Sequence, residues 1–95
     1  MLKIDIVMNQ AVEEDFLALC KEKGVCEFYT RYTNVTGKGF QEPRMGDETW
    51  PQYNVSYMIV VPDEQRDTYL EIVEKLRKDF PDDGIFCCIS VTRVF

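Results

Sequence analysis

The sequence predicts an α+β sandwich in which two helices cover one face of a four-stranded antiparallel sheet, in the order βαββαβ. Three observations predict it. Apolar and polar residues alternate at the start and in the middle of the chain. A helical apolar stripe follows each of those stretches, and a β-prone segment closes the sequence. With 95 residues there is room for one domain, residues 1–95, and one core.

Taken in order, residues 2–8 place Leu2, Ile4, Ile6 and Met8 on one face and Lys3, Asp5 and Val7 on the other, the period of two that marks a half-buried strand. Asn9 or Gln10 then opens a helix over about residues 11–23. Val12, Phe16, Leu19 and Cys20 form its apolar stripe; acids gather in its first turn, lysines in its last, and Gly24 stops it. Residues 26–36 are rich in aromatic and β-branched side chains (Phe28, Tyr29, Thr30, Tyr32, Thr33, Val35), which predicts a second strand. Residues 37–52 hold three of the five glycines and two of the four prolines and read as a loop. Alternation resumes over 53–61, with Val55, Tyr57, Ile59 and Val61 on one side. Asp63, after Pro62, is the expected N-cap of a second helix that runs to about residue 79, with Tyr69, Ile72, Val73, Leu76 and Phe80 as its buried stripe. Pro81, Asp82, Asp83 and Gly84 make a turn, and residues 85–95 form the last strand. This order is the ferredoxin-like arrangement.

Composition excludes several function classes. Eleven basic against seventeen acidic residues give a net charge of −6, the wrong sign for nucleic acid. The absence of histidine removes histidine triads, imidazole bases and His-containing zinc sites. Apolar runs such as 58–61 are far too short for membrane insertion. Asp5 interrupts the apolar start and no small-residue cleavage site follows, so a cytoplasmic protein with reduced thiols is expected. Cys87 and Cys88 point to opposite faces of a strand and cannot chelate one ion; the four cysteines read as small hydrophobes, with Cys88 the one placed for a subunit interface. No metal site and no catalytic residues are assigned, and the cofactor is unknown.

Helices cover only one face of such a sheet. The other receives Val7, Met58, Val60, Phe86, Cys88 and Val94 among small polar residues. A semi-apolar face of this kind predicts association, as do the second and fourth strands, each read as about eleven residues long.

Three stretches carry a resemblance. Residues 58–67, Met-Ile-Val-Val-Pro-Asp-Glu-Gln-Arg-Asp, lead into an amphipathic helix. Residues 83–86, Asp-Gly-Ile-Phe, continue to Ser90-Val91-Thr92-Arg93-Val94. Residues 33–41 read Thr-Asn-Val-Thr-Gly-Lys-Gly-Phe-Gln. In this order they resemble the IVV-x-DEQ-x-D, DGKIFVFDVERV and TEVKGFGRQ passages of the PII signalling family (nitrogen regulatory protein P-II). The resemblance implies a homotrimer that binds a small effector in clefts between subunits and signals through the 37–52 loop to a protein partner, a membrane transporter being the family-level expectation. It implies ligand contacts at Gly37, Lys38, Gly39, Gln41, Val60, Val61, Asp83 and Gly84. Arg44 and Trp50, in the loop, are the expected partner contacts, Trp50 having anchorage of the loop as its plainer role.

The departures from the family wording are specific. The phosphate-pairing lysine after Asp-Gly is Ile85, the arginine beside the glutamine is Phe40, and the strand-three lysine that holds 2-oxoglutarate falls at Asn54. The loop is shortened and lacks the modifiable tyrosine, and Phe95 follows Arg93-Val94 where the family continues with arginines. These losses argue against ordinary ATP and 2-oxoglutarate sensing. The alternatives are a CutA-like metal-binding trimer and a small ferredoxin-fold enzyme, for which Lys38 and Arg44 are the available cations but no nucleophile–base pair is visible.

Overall fold

The computed structural model describes residues 1–38 and 53–95. Strands β1 (Leu2–Asn9), β2 (Thr30–Val35), β3 (Asn54–Val61) and β4 (Phe86–Val91) alternate with helices α1 (Glu13–Lys23) and α2 (Arg66–Asp79) in the predicted βαββαβ order. The strands form one antiparallel sheet, ordered β2-β3-β1-β4. Strand β1 lies in the interior because its alternation gives it one wholly apolar face. Leu2, Ile4, Ile6 and Met8 sit opposite Val61, Ile59, Tyr57 and Val55, and all eight are buried. Phe16 and Cys20 of α1 and Tyr69, Ile72, Val73 and Leu76 of α2 close the core over them. Burying each large side chain contributes roughly 1.5–3 kcal/mol.

Polar contacts fix the joints. Asn9 is buried with the core, and its Oδ1 accepts the Ala11 N–H at 3.0 Å, starting the turn into α1. Gly24 ends α1 in the left-handed region (φ 68°), and the Val25 N–H returns to the Cys20 carbonyl at 2.9 Å. The Glu13 carboxylate accepts from Arg31 Nη2 at 2.7 Å, from Arg31 Nε and from the buried Tyr57 hydroxyl, tying α1 to β2 and β3. Tyr57 also packs against Phe16 and Tyr29, with ring centroids 5.0 and 5.2 Å apart.

Three expectations need correction. Strands β2 and β4 have six residues each rather than about eleven. Cys26 adopts φ 62°, which does not fit a regular strand, so β2 starts only at Thr30, and Asn34 (φ 55°) bulges it near its end. Strand β4 pairs with β1 from Val7↔Phe86 to Leu2↔Val91, and beyond that ladder the Thr92 N–H bonds the Met1 carbonyl at 3.0 Å. Asp63 does not cap α2. A 3-10 turn, Asp63–Gln65, leads into the helix, and the Asp63 carboxylate instead pairs with the Met1 amine at 3.3 Å.

The uncovered sheet face carries Val7, Ser56, Met58, Val60, Phe86 and Cys88 around a Lys3–Asp5 ion pair of 3.4 Å. Phe86 is 57% exposed on it. The face is therefore apolar at its margins and charged at its centre.

Candidate functional site

The predicted ligand residues occupy two opposite ends of the sheet. Gly37 and Lys38 follow β2, and Asp83 and Gly84 precede β4, so all four lie along the rim where β1 ends and β3 begins. Val60 and Val61 close the other end of β3. Seven residue steps of extended chain separate Asn54 from Val61, about 23 Å at roughly 3.3 Å per residue. No single cleft of one chain can gather both groups. Gly39, Gln41, Arg44 and Trp50 lie outside the described residues, as does Phe40.

The first rim is built on Asn9. Its Nδ2 donates to Asp83 Oδ1 at 3.2 Å while its Oδ1 serves Ala11, so one buried amide joins the turn before β4 to the start of α1. The neighbouring Gln10 N–H bonds the Tyr53 carbonyl at 3.1 Å, fixing the point where the chain enters β3. The turn itself is held by the Asp83 N–H on the Phe80 carbonyl (3.1 Å) and by Arg77, whose Nε and Nη2 donate to the Ile85 carbonyl at 3.2 and 2.8 Å. Ile85 is buried in the core. A side chain so placed cannot reach a ligand outside the turn, and the nearby cation, Arg77, is engaged with backbone. At Gly37 an added Cβ would meet Asn54 Nδ2 at an ordinary 3.7 Å, so the described packing does not demand glycine there. Lys38 is exposed.

The second end holds a groove of about 220 Å³. Residues 24–28 wall it on one side and Val60, Val61 and Pro62 on the other, with Gln65 and Tyr69 between them. The reversal at Gly24 and the left-handed Cys26 throw residues 24–28 outward beside the end of β3, which is why a groove exists. Phe28, 78% exposed, stands at its edge. Tyr69 is fully buried, yet its hydroxyl makes no well-aligned hydrogen bond among the described residues. It lies against Cys26 in an electrostatic contact, and burial pushes its pKa above the usual phenol value.

Beneath the groove, Cys20 and Cys26 interact through their side chains. The hydrogen bond to Cys26, reinforced by burial, raises the Cys20 thiol well above the usual range. The same hydrogen bond lowers Cys26, with burial opposing and the Tyr69 hydroxyl assisting. Sequence reasoning reached Val60 and Val61 through their wording. It missed residues 24–28, Gln65 and Tyr69, for which the only available signal was the helix stop at Gly24 followed by an unusually aromatic pair, Phe28 and Tyr29. Among the described residues no cluster of three or more acids and cysteines is arranged to hold a metal ion. No described helix is long and apolar enough to cross a membrane.

No family model matches the sequence, and no curated protein matches it. Solved structures do. CPII from Thiomonas intermedia K12, bound to ADP and bicarbonate, superposes with a TM-score of 0.71 at 22% identity, covering 94% of this chain and 84% of that one. The apo form of CPII, a nitrogen regulatory PII-like protein, gives 0.60 at 20% identity over 94% and 87%. A PII-like signalling protein from Thermus thermophilus gives 0.61 at 20% identity over 94% and 83%. The chain has the ferredoxin-like fold of PII-like proteins.

Proposed function

We propose that the chain is a non-catalytic, homotrimeric cytoplasmic regulator that binds a small effector between subunits and signals to a protein partner, such as a membrane transporter, through the 37–52 loop. The observation that carries this reading is the separation of the predicted ligand residues to opposite ends of β3. Two half-sites that cannot meet in one chain can meet when the rim of one copy abuts the groove of the next. The semi-apolar open face, with Phe86 and Val7 side by side, supplies the contact area. In this arrangement the groove beside Tyr69 takes the flatter, less polar part of the effector, and Gly37, Lys38, Asp83 and Gly84 take the polar part, with Gly39 and Gln41. Arg44 and Trp50 meet the partner.

The effector is less charged than a nucleoside triphosphate. Ile85, buried in the core, replaces one phosphate-binding cation and Phe40 replaces another. Each lost charge-assisted contact is worth about 1.5–3 kcal/mol, so two of them weaken a micromolar site by roughly a hundredfold or more. The ligands of CPII, ADP and bicarbonate, set the compounds to try first. Light scattering at micromolar concentration is expected to give three times the chain mass, and a stable monomer would end the intersubunit reading. Calorimetry at physiological salt is expected to find ATP binding weaker than about ten micromolar, which is roughly −7 kcal/mol. Tighter ATP binding would mean that other cations replace the missing ones.

A further inference from the structure

We propose that Asn9 and Asp83 form a positioning pair: the Asn9 amide sets the turn before β4 against the entry of β3, and the Asp83 carboxylate serves the rim through that contact rather than by touching the effector. The effect on binding rests on the proposed rim half-site, but the contact itself does not. Apart from tyrosines and Cys20, Asn9 is the only buried polar side chain among the described residues, at 3% exposed. Chemistry fixes its orientation. The Ala11 N–H can only donate, so Oδ1 faces it at 3.0 Å, and Nδ2 is left to donate to Asp83 Oδ1 at 3.2 Å, across 74 residues of chain. Such bonds replace bonds to water and add little net stability, so an apolar side chain of the same shape would serve a core as well. What the amide adds is definition: with donor and acceptor both committed, the turn docks in one place.

Neighbouring bonds extend the pair into a brace. Gln10, the next residue, donates its N–H to the Tyr53 carbonyl at 3.1 Å, and Asn9 stands opposite Asn54 at the start of β3. On the other side the Asp83 N–H bonds the Phe80 carbonyl at 3.1 Å, and Arg77 holds the Ile85 carbonyl at 3.2 and 2.8 Å. Helix α2 thus grips the turn from one side, and the end of β1 grips it from the other. Asp83 is only half-buried, yet its Oδ1 is turned onto the buried amide. A brace needs that oxygen and not the charge, since Asp83→Asn keeps the same acceptor for Asn9. A direct contact with a cation or an N–H of the effector would draw on the charge. The two roles therefore separate on one substitution.

Amide hydrogen exchange on the full chain tests the pair, because three amides each report one bond of the brace: Ala11 the cap, Asp83 the turn and Gln10 the β3 entry. Asn9→Asp keeps an acceptor for Ala11 but sets a carboxylate against a carboxylate. It is expected to leave the Ala11 amide protected while the amides of residues 83 and 10 exchange about tenfold faster. Asn9→Asp/Asp83→Asn reverses donor and acceptor and is expected to restore both, and Asp83→Asn alone to change neither. Asp83→Ala removes the acceptor without burying a charge, so it gives the same acceleration even if Asn9→Asp fails to fold. Unchanged exchange at residue 83 in Asp83→Ala, or no rescue by the double variant, makes Asn9 a helix cap only and overturns the pair. Acceleration at residue 83 without Gln10 overturns the link to β3. Calorimetry with ADP as the probe reads the role in binding: Asn9→Asp is expected to weaken it about tenfold, with recovery in the double variant and no change in Asp83→Asn. A loss in Asp83→Asn makes the carboxylate a direct contact and overturns the positioning role. A wild type that ignores ADP counts against the effector site alone, and the exchange results decide the pair by themselves.

Discussion

Replacing Tyr69 by phenylalanine tests whether the groove is an unfinished binding site. Tyr69 is fully buried in the stripe of α2, and its hydroxyl has no well-aligned hydrogen bond among the described residues. Leaving such a group unpaired costs about 1–3 kcal/mol. The electrostatic contact with Cys26 recovers part of that, so Tyr69→Phe is expected to stabilise the ligand-free protein by about 1 kcal/mol. For a domain of this size that raises Tm by roughly 4–8 °C. The ring packing is unchanged, since only the oxygen is removed. Calorimetric unfolding at one fixed protein concentration, under dithiothreitol, is the appropriate assay because association shifts Tm. The same variant removes a group that helps lower the Cys26 thiol, so alkylation of Cys26 by iodoacetamide is expected to slow. A loss of stability of about 1 kcal/mol or more would refute the reasoning, because it would mean that the hydroxyl is well paired in the free protein and is not held in reserve.

Glu13→Gln removes the charge that orients Arg31 and receives the Tyr57 hydroxyl, and is expected to cost about 1 kcal/mol near neutral pH. The Arg31 hydrogen bonds hold the Glu13 carboxyl below its ordinary 4.5, so the wild-type advantage is full above that value and fades as pH falls through the lower folded value. Urea unfolding of both proteins from neutral pH down to about pH 3 checks this; an advantage that persists at the acid end would contradict the sign. Phe86→Asp places a charge on the exposed margin of the open sheet face, beside Val7, and is expected to shift the assembly to monomers while leaving the circular dichroism intact. A light-scattering mass still three times that of the chain would place the interface elsewhere.

The fold was legible wherever one-sided burial imposes a period. Leu2, Ile4, Ile6 and Met8 against Val55, Tyr57, Ile59 and Val61 could only be two strands sharing a core face, and Tyr69, Ile72, Val73 and Leu76 could only be a helix lying over them. The extent of β2 was not legible. Residues 26–36 look β-prone throughout, and nothing in the identity of Cys26 signals the left-handed backbone it adopts while packed against the core. Asp63 has the chemistry of a cap, but it lies in the 3-10 turn that precedes α2 and makes no capping bond there. For the site, wording nominated Val60, Val61, Asp83 and Gly84 as candidates, but wording has no distance in it, and only the register of β1 with β3 and β4 reveals that the two pairs sit at opposite ends.

That separation has an energetic consequence for a cleft shared between copies. A ligand that binds only where a rim and a groove meet stabilises the assembly by RT ln(1 + [L]/Kd) per site, about 2.7 kcal/mol at a hundred times Kd. By linkage, assembly strengthens the ligand by the same factor. Neither half-site of the isolated chain is complete: the rim has its Asp83 carboxylate tied to Asn9 and its Ile85 side chain in the core, and the groove is only about 220 Å³. On the proposed reading, each is expected to bind weakly alone. A net charge of −6 on every copy opposes both steps through the same long-range repulsion, which is screened beyond about 8 Å at physiological salt. The Lys3–Asp5 pair at the centre of the open face is locally neutral, so the repulsion comes from the surrounding acids rather than from the contact itself. An effector that carries few negative charges then favours assembly most, because it adds contacts across the cleft without adding to the charge that resists closure.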